Sequence, residues 1–334
     1  MSAALEVLAC PLPASLQDLG RPGYRHLGVP LSGALDPDWL QLANALAGNA
    51  PGAAAIEMRL AGPTLRASGE LTVALAGDLD ARLDDGNGER PIAAWRSHRL
   101  RRGDVLRIAA VRSGVAYLAV AGGFAGRVSL GSRSGYRRAG LGETVDPGIT
   151  LKVDAGGTAA PQQLPEPPAI TGGPLRILPG PQRDHFSPAA WEALLDGEFE
   201  VSRESDRMGL RLAGPPLPHI SAAAADTVSD AVTPGVIQVP GDGRAILLLA
   251  DCQTVGGYPK IAVVIGADLP RLAHCLPGSR LRFAEVSADA ALLARREQRA
   301  RLDAAIGRIA PVREGPDLDA LYAANLIDGA IYAD

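Results

Sequence analysis

Two short stretches hold most of the residues able to do chemistry. The first, QDLGRPGYRHLGVPLSGALDP, from Gln17 to Pro37, carries Gln17, Asp18, Arg21, Tyr24, Arg25, His26, Ser32 and Asp36 among glycines and prolines that forbid regular structure. Loops of this kind present functional groups on a rigid scaffold. Ser32-Gly33, running into a helix at Asp36, would aim backbone N–H groups at an anion. The plainer alternative is a long structural loop in which Asp36 is only a helix cap. The second stretch, DCQTVGGYPK, Asp251–Lys260, follows the apolar run AILLLA directly. Gly256-Gly257 permits close approach of backbone to a ligand. Gln253 and Thr254 suit an amide or carboxylate, Tyr258 offers a hydroxyl, and Lys260 offers a cation for carboxylate or phosphate. A β-bulge or hairpin turn with Lys260 in solvent fits the same residues.

Three further segments support these. GSRSGYRRAGLG (Gly131–Gly142) sets Arg133, Arg137 and Arg138 among small residues, either as an anion grip or as a solvated basic turn. In SDRMG (Ser205–Gly209), Asp206 and Arg207 could pair with each other. SDAVTPGVIQVP spans Ser229–Pro240. Several chemistries are missing from the sequence. Neither lysine, Lys152 or Lys260, lies in GxxxxGK(S/T), and neither sits between methionines as in a biotin carrier. The five histidines show no metal-ligand spacing, and there is neither CxxC nor GxSxG. Cys252, beside Asp251, reads as a nucleophile or, more simply, as an inert buried thiol.

Positioning such loops calls for a rigid frame, and the apolar runs supply one. Strands are expected at Leu71–Ala76, Val105–Val111, Val115–Ala121, Leu175–Leu178, Ala245–Ala250, Ile261–Ile265 and Arg280–Val286. Helices are fewer. One runs from Asp36, a natural N-cap followed by Pro37, to Ala47, with Gly48 as its stop. A second begins at Ser187-Pro188. A third, Ser287 to Ile306, has a sparse apolar stripe that suits the surface or a partner interface. The 39 glycines and 27 prolines favour frequent turns and a mainly β architecture. DAGGTAAPQQLPEPPAITGGP, Asp154–Pro174, reads as a linker. RLAGPTL (Arg59–Leu65) and RLAGPPL (Arg211–Leu217) echo each other, which fits either two related β domains or a recurring strand-end turn.

A chain of 334 residues is long enough for two cores. With 47% hydrophobic but only 4% aromatic residues, those cores must be aliphatic. A net charge of −4 without a basic block argues against nucleic acid. No apolar run approaches the roughly 20 residues that span a bilayer. Three scattered cysteines, and no basic residue before Arg21, point to the cytoplasm.

Taken in order, QDLGRPGYRHLGVPLSGALD, LANALAGN, IEMRLAGPTL, VAGGF, LGSRS, LPGPQ, SDRMGLRLAGPPL, SDAVTPGVIQVP and DCQTVGGYPKIAVVIGADLPRL resemble the KipA-like family. This family is also called allophanate hydrolase subunit 2, or the biotin-dependent carboxyltransferase family, and the likeness is nearest to the branch formed by the C subunit of 5-oxoprolinase. It covers about Leu5 to Val286, and NLIDG (Asn325–Gly329) looks like the family's C-terminus. The resemblance implies paired cyclophilin-like β domains: 1–153, a linker at 154–174, 175–286, and a surface helix and tail at 287–334. It implies a heterotetramer with the smaller, KipI-like B subunit of 5-oxoprolinase. It also implies an A subunit that completes the ATP-dependent opening of 5-oxoproline to glutamate. ATP is the implied cofactor, bound by this chain or by a partner, and no biotin is attached to this chain. Two other activities occur among relatives: carboxyl transfer from carboxybiotin to an amide such as urea or allophanate, and non-catalytic binding of a kinase inhibitor. The shared problem is a planar amide or lactam. The expected roles are Gln253 and the Gly256-Gly257 backbone on the amide, Lys260 or Arg21 on a carboxylate or phosphate, and Asp18 or Asp251 on the attacking water. Gln17, Ser32, Arg133, Thr254 and Tyr258 complete the expected binding set.

Overall fold

A computed structural model describes residues 3–154 and 157–312, so NLIDG lies outside the described residues. Among the described residues the architecture is mainly β with four α-helices, as the turn-rich composition predicts: α1 Pro37–Ala47, α2 Pro188–Asp196, a short α3 Leu269–Leu272 and α4 Ala288–Gly307. Asp36 caps α1 by accepting from the Asp38 and Trp39 amides, Pro37 takes the first turn, and Gly48 ends it in the left-handed region. Ser187 and Ser287 cap α2 and α4 in the same way. Among the described residues no helix is long and apolar enough to cross a membrane.

Three large sheets form the frame. The first runs Thr150–Lys152, Ala4–Ala9, Thr64–Ala67, Val105–Val111, Leu79–Asp84, Glu89–Ile92. The second runs Ser15–Gln17, Ala55–Met58, Ala116–Val120, Leu71–Ala76, Arg96–Leu100, Gln162–Gln163, Ala310–Pro311. The third is built wholly from later residues: Arg280–Leu281, Phe199–Val201, Gly209–Ala213, Ile246–Leu248, Val236–Gln238, Lys260–Val264, Leu175–Pro179, Phe283–Glu285. A small ribbon pairs Asp230–Ala231 with Val255–Gly256.

The second sheet is buried on both faces, which is why AYLAV at Ala116–Val120 is apolar without alternation. One face, with Leu75, Leu118 and Ile56, packs on Leu5, Leu65 and Leu106 of the first sheet. The other, with Ala74, Tyr117 and Ala119, packs on α1 and joins Leu175, Ile237 and Leu247 of the third. Leu40, Leu42 and Leu46 of α1 are fully buried there, each stabilising the fold by about 1.5–3 kcal/mol. Glu57 and Tyr117 are direct partners across antiparallel strands. They therefore project from one face, towards the third sheet.

The two copies of the RLAGP echo fold differently: Arg59-Leu60-Ala61 follows a strand, with Leu60 at φ 63°, whereas Arg211-Leu212-Ala213 ends one. Ala55–Met58 stops just before Arg59, and Gly209–Ala213 stops just before Gly214. A Cβ on Gly62 would lie 2.5 Å from Met58 Sδ, and one on Gly214 would lie 2.5 Å from Phe199 Cδ1. Close packing, not ligand access, requires glycine at both places. Helix α4 lies on the surface, with Ala294, Gln298, Leu302 and Ala305 as its narrow buried stripe.

Candidate functional site

The strand Ser15–Gln17 delivers the first loop at the edge of the second sheet. Asp18 then acts as a clamp. Its Oδ1 accepts from Ser132 Oγ (2.6 Å), Ser134 Oγ (2.5 Å) and Gly20 N (2.8 Å), and its Oδ2 accepts from Arg133 N (2.6 Å). Oδ1 is thus fully engaged, while Oδ2 carries a single bond. The carboxylate's visible work is to tie LGSRS onto the loop. This positioning work stands beside the expected role for Asp18 in orienting water.

Arg21 is fully buried. Its Nη2 donates to Ser134 O and its Nε to Ser129 O (3.5 Å), while Nη1 has no partner among the described residues. Burial lowers its pKa, opposed by the nearby carboxylates of Asp18 and Asp251. Ser32, held at φ 52°, donates its amide to Ala250 O (3.0 Å) and leaves a buried, unpartnered hydroxyl. Ser129 Oγ and Gln17 Oε1 are likewise buried without a partner. Gly33 allows this junction: a Cβ there would lie 2.8 Å from Gly20 N.

The two clusters meet at Arg207, a residue the sequence offers only as a partner for Asp206. Its Nε donates to Asp251 Oδ2 (2.8 Å), Nη2 to Gly33 O (2.6 Å), and Nη1 to Glu57 Oε1. Burial alone would depress the guanidinium, but Glu57 and Asp251 outweigh it and raise its pKa above the ordinary value. Asp206 instead faces Arg138 (3.4 Å). From Glu57 the hydrogen bonds continue. Oε2 accepts from Tyr117 OH (2.8 Å) and from Leu35 N (2.8 Å), and Tyr117 OH accepts from Asp36 N (2.9 Å). Burial and then Glu57 push the Tyr117 phenol well above its usual range. Asp36, beyond its capping role, faces His274 Nε2 at 2.8 Å.

The rest of DCQTVGGYPK is turned elsewhere. Gly256 pairs with Asp230 in the ribbon, and a Cβ on it would lie 2.7 Å from Gln238 Nε2. A Cβ on Gly257 would lie 3.2 Å from Thr227 O. Both glycines accommodate the protein's own chain. Thr254 is buried and accepts the Val232 amide (3.1 Å), Gln253 bonds Gln238 Oε1 (3.3 Å), and Tyr258 is exposed. Lys260 is only 2% exposed, contrary to the solvated alternative, and its Nζ donates to Asp230 Oδ2 (2.9 Å). That bond holds the Asp230 carboxyl below its ordinary range. Arg133 turns its guanidinium to Gly126 O (3.1 Å) and Asp154 (3.5 Å), with only its amide at the cluster. Arg25, by contrast, straps the two clusters together through Val232 O and Gln253 O (3.1 Å). Cys252 is fully buried and burial raises its thiol pKa, which does not suit a nucleophile. Among the described residues no group of three or more His, Cys, Asp or Glu side chains could hold a metal ion.

Among the described residues the first loop and its neighbour thus hold the unpartnered donors Arg21 Nη1, Ser32 Oγ and Ser129 Oγ and the acceptor Gln17 Oε1. Asp251 is tied to that loop through Arg207 and Gly33 O, and Lys260, Gln253 and Tyr258 lie beside a separate ribbon. Residues 27–285 match the family described as carboxyltransferase domain, subdomain A and B. The chain belongs to this carboxyltransferase-domain family. It is 34% identical over 302 residues to the C subunit of 5-oxoprolinase from Escherichia coli, covering 88% of this chain and 95% of that protein. Among solved structures, TTHA0988 superposes with a TM-score of 0.76 at 37% identity over 84% of this chain. The chain spans only 55% of the length of TTHA0988. The urea carboxylase of Kluyveromyces lactis superposes with a TM-score of 0.81 at 26% identity, over 94% of this chain and 31% of that one. The carboxyltransferase-domain fold thus occurs both as a chain of this size and inside longer proteins.

Proposed function

We propose that this chain is the C subunit of an ATP-dependent 5-oxoprolinase, acting in the cytoplasm with its B and A subunits to open the lactam of 5-oxoproline to glutamate. The observation that carries the reading is the match to the E. coli 5-oxoprolinase chain over nearly its whole length. The site chemistry agrees with it. Arg21 Nη1 and the hydroxyls of Ser32 and Ser129 are donors without acceptors, and a small anion with a carbonyl supplies acceptors. Arg21 takes the carboxylate of 5-oxoproline, since a guanidinium is suited to that geometry. The serine hydroxyls take the lactam oxygen. Asp251, fixed by Arg207, aims the attacking water at the lactam carbon and takes a proton from it as the C–O bond forms. The C–N bond then breaks and that proton passes to the leaving nitrogen, which becomes the free amine of glutamate.

These donors match one carboxylate and one carbonyl. They do not make the cradle of backbone amides and cations that a triphosphate needs, and Lys260 is committed to Asp230. On that ground we propose that ATP binds a partner chain.

A second reading, carboxyl transfer to an amide, is favoured by the family description and by the urea carboxylase fold. It is the weaker one, because the match to this chain covers only 31% of that enzyme and this sequence carries no biotin-accepting motif. Co-purification with candidate A and B subunits, followed by an assay of glutamate release from 5-oxoproline with and without ATP, tests the first reading. A complete complex that releases no glutamate, yet carboxylates urea when given carboxybiotin, would replace it with the second.

A further inference from the structure

A cavity of about 430 Å³ lies between α1 and α4 and is used by none of the chemistry above. That volume is in the range of small-molecule sites. Asp38 stands on its α1 side. Asp38 Oδ2 accepts from Gln298 Nε2 (2.7 Å), and its other oxygen has no hydrogen bond among the described residues. Burial and then the neighbouring Asp36 raise the Asp38 carboxyl pKa, opposed by the Gln298 hydrogen bond and by Arg295 and Arg299. Arg301 and Arg308 stand on the α4 side. Among the described residues Arg308 has no ion pair, and Arg301 reaches only Glu297, at 4.0 Å. Gln298, beside Asp38, and Arg308 are ten residues apart, roughly 15 Å of helix, with Arg301 between them. Trp39 and Leu302 give the same cavity apolar wall.

A carboxylate with a free oxygen, a guanidinium one helical turn away at Arg301, a second further along at Arg308, and apolar wall complement a short molecule with an ammonium, a few methylenes and two carboxylates. We propose that this cavity is a second binding site, for a small acidic α-amino acid. Its ammonium rests on Asp38, its carboxylates rest on Arg301 and Arg308, and its methylenes lie along Trp39 and Leu302. The inference stands on the cavity's own charges and does not need the lactam chemistry to be right.

Calorimetric titration of the full chain, without ATP or partners, tests it with L-glutamate as probe and glutarate as the analogue lacking the ammonium. L-Glutamate should bind saturably, and glutarate should bind roughly tenfold or more weakly. Asp38→Asn should erase that preference. Arg301→Ala combined with Arg308→Ala should weaken glutamate roughly tenfold or more with an unchanged thermal melt. Arg21→Lys should leave the titration as it is. The proposal is overturned by no saturable glutamate binding, by glutarate binding equally well, or by binding that survives both sets of variants. Loss of the signal in Arg21→Lys would place the glutamate at the Arg21 site instead, and would overturn it too.

Discussion

Arg207 and Asp251, 44 residues apart, meet with Nε 2.8 Å from Oδ2, and the same guanidinium reaches Glu57 from the other half of the chain. One side chain therefore joins the third sheet to the second at the point where both polar clusters arrive. The ion pairs are buried: the side chain of Glu57 is 3% exposed and that of Asp251 9%.

Removing Arg207 leaves Glu57 as an uncompensated buried charge, and breaking a buried pair in this way costs about 3–5 kcal/mol. Arg207→Met should lower the melting temperature markedly. The double variant Arg207→Met with Glu57→Gln should recover part of the loss, because the stranded charge is gone. Denaturant unfolding of the wild type, both single variants and the double variant measures the coupling. Additive losses would show that the pair is not the hub.

The bond from Lys260 holds the Asp230 carboxyl below its ordinary value of 3.8. A carboxyl with a depressed folded pKa contributes stability above its unfolded pKa, and that contribution is lost as pH falls through the folded value. Asp230→Asn should therefore melt below the wild type at neutral pH. The gap should narrow below pH 3.8 and close at still lower pH. Melting curves across an acid series check this, and a gap independent of pH would contradict it.

Cys252 is fully buried with its thiol pKa raised, and Cys275 is pushed up to about 11, whereas Cys10 is half-buried. A brief pulse of iodoacetamide on the native protein should modify Cys10 first and leave Cys252 unmodified until denaturant is added. Peptide mass spectrometry reads the order. Rapid native labelling of Cys252 would restore it as a candidate nucleophile.

Much of this frame is legible in the sequence because local signals carry it. Asp36, Pro37 and Gly48 bound α1, and the run LTVALA forms the strand Leu71–Ala76. The site is only partly legible. Polar residues in a loop announce a cluster, but partners distant in sequence decide which of them are spent. Asp18 and Lys260 read as free groups in the sequence, whereas Ser132, Ser134 and Asp230 bond them in the structure. The residues missed, Glu57 and Tyr117, did leave a signal: polar groups inside the otherwise apolar strands AIEM and AYLAV. A charge in a strand buried on both faces demands a cation. Arg207, 150 residues away from Glu57, is that cation, and no local pattern points to it.

Capture of 5-oxoproline rests on Arg21 and its unpartnered Nη1. Lysine there keeps the charge but lacks the planar fork, so it cannot bond Ser134 O and a substrate carboxylate in the same way. The measurement is the KM for 5-oxoproline of the reconstituted complex of all three subunits, in the presence of ATP, with wild-type chain and with Arg21→Lys. ATP-dependent glutamate release by the wild type, with KM raised roughly ten- to hundredfold in the variant, is the predicted result. An unchanged KM in an equally stable, fully assembled complex would contradict it.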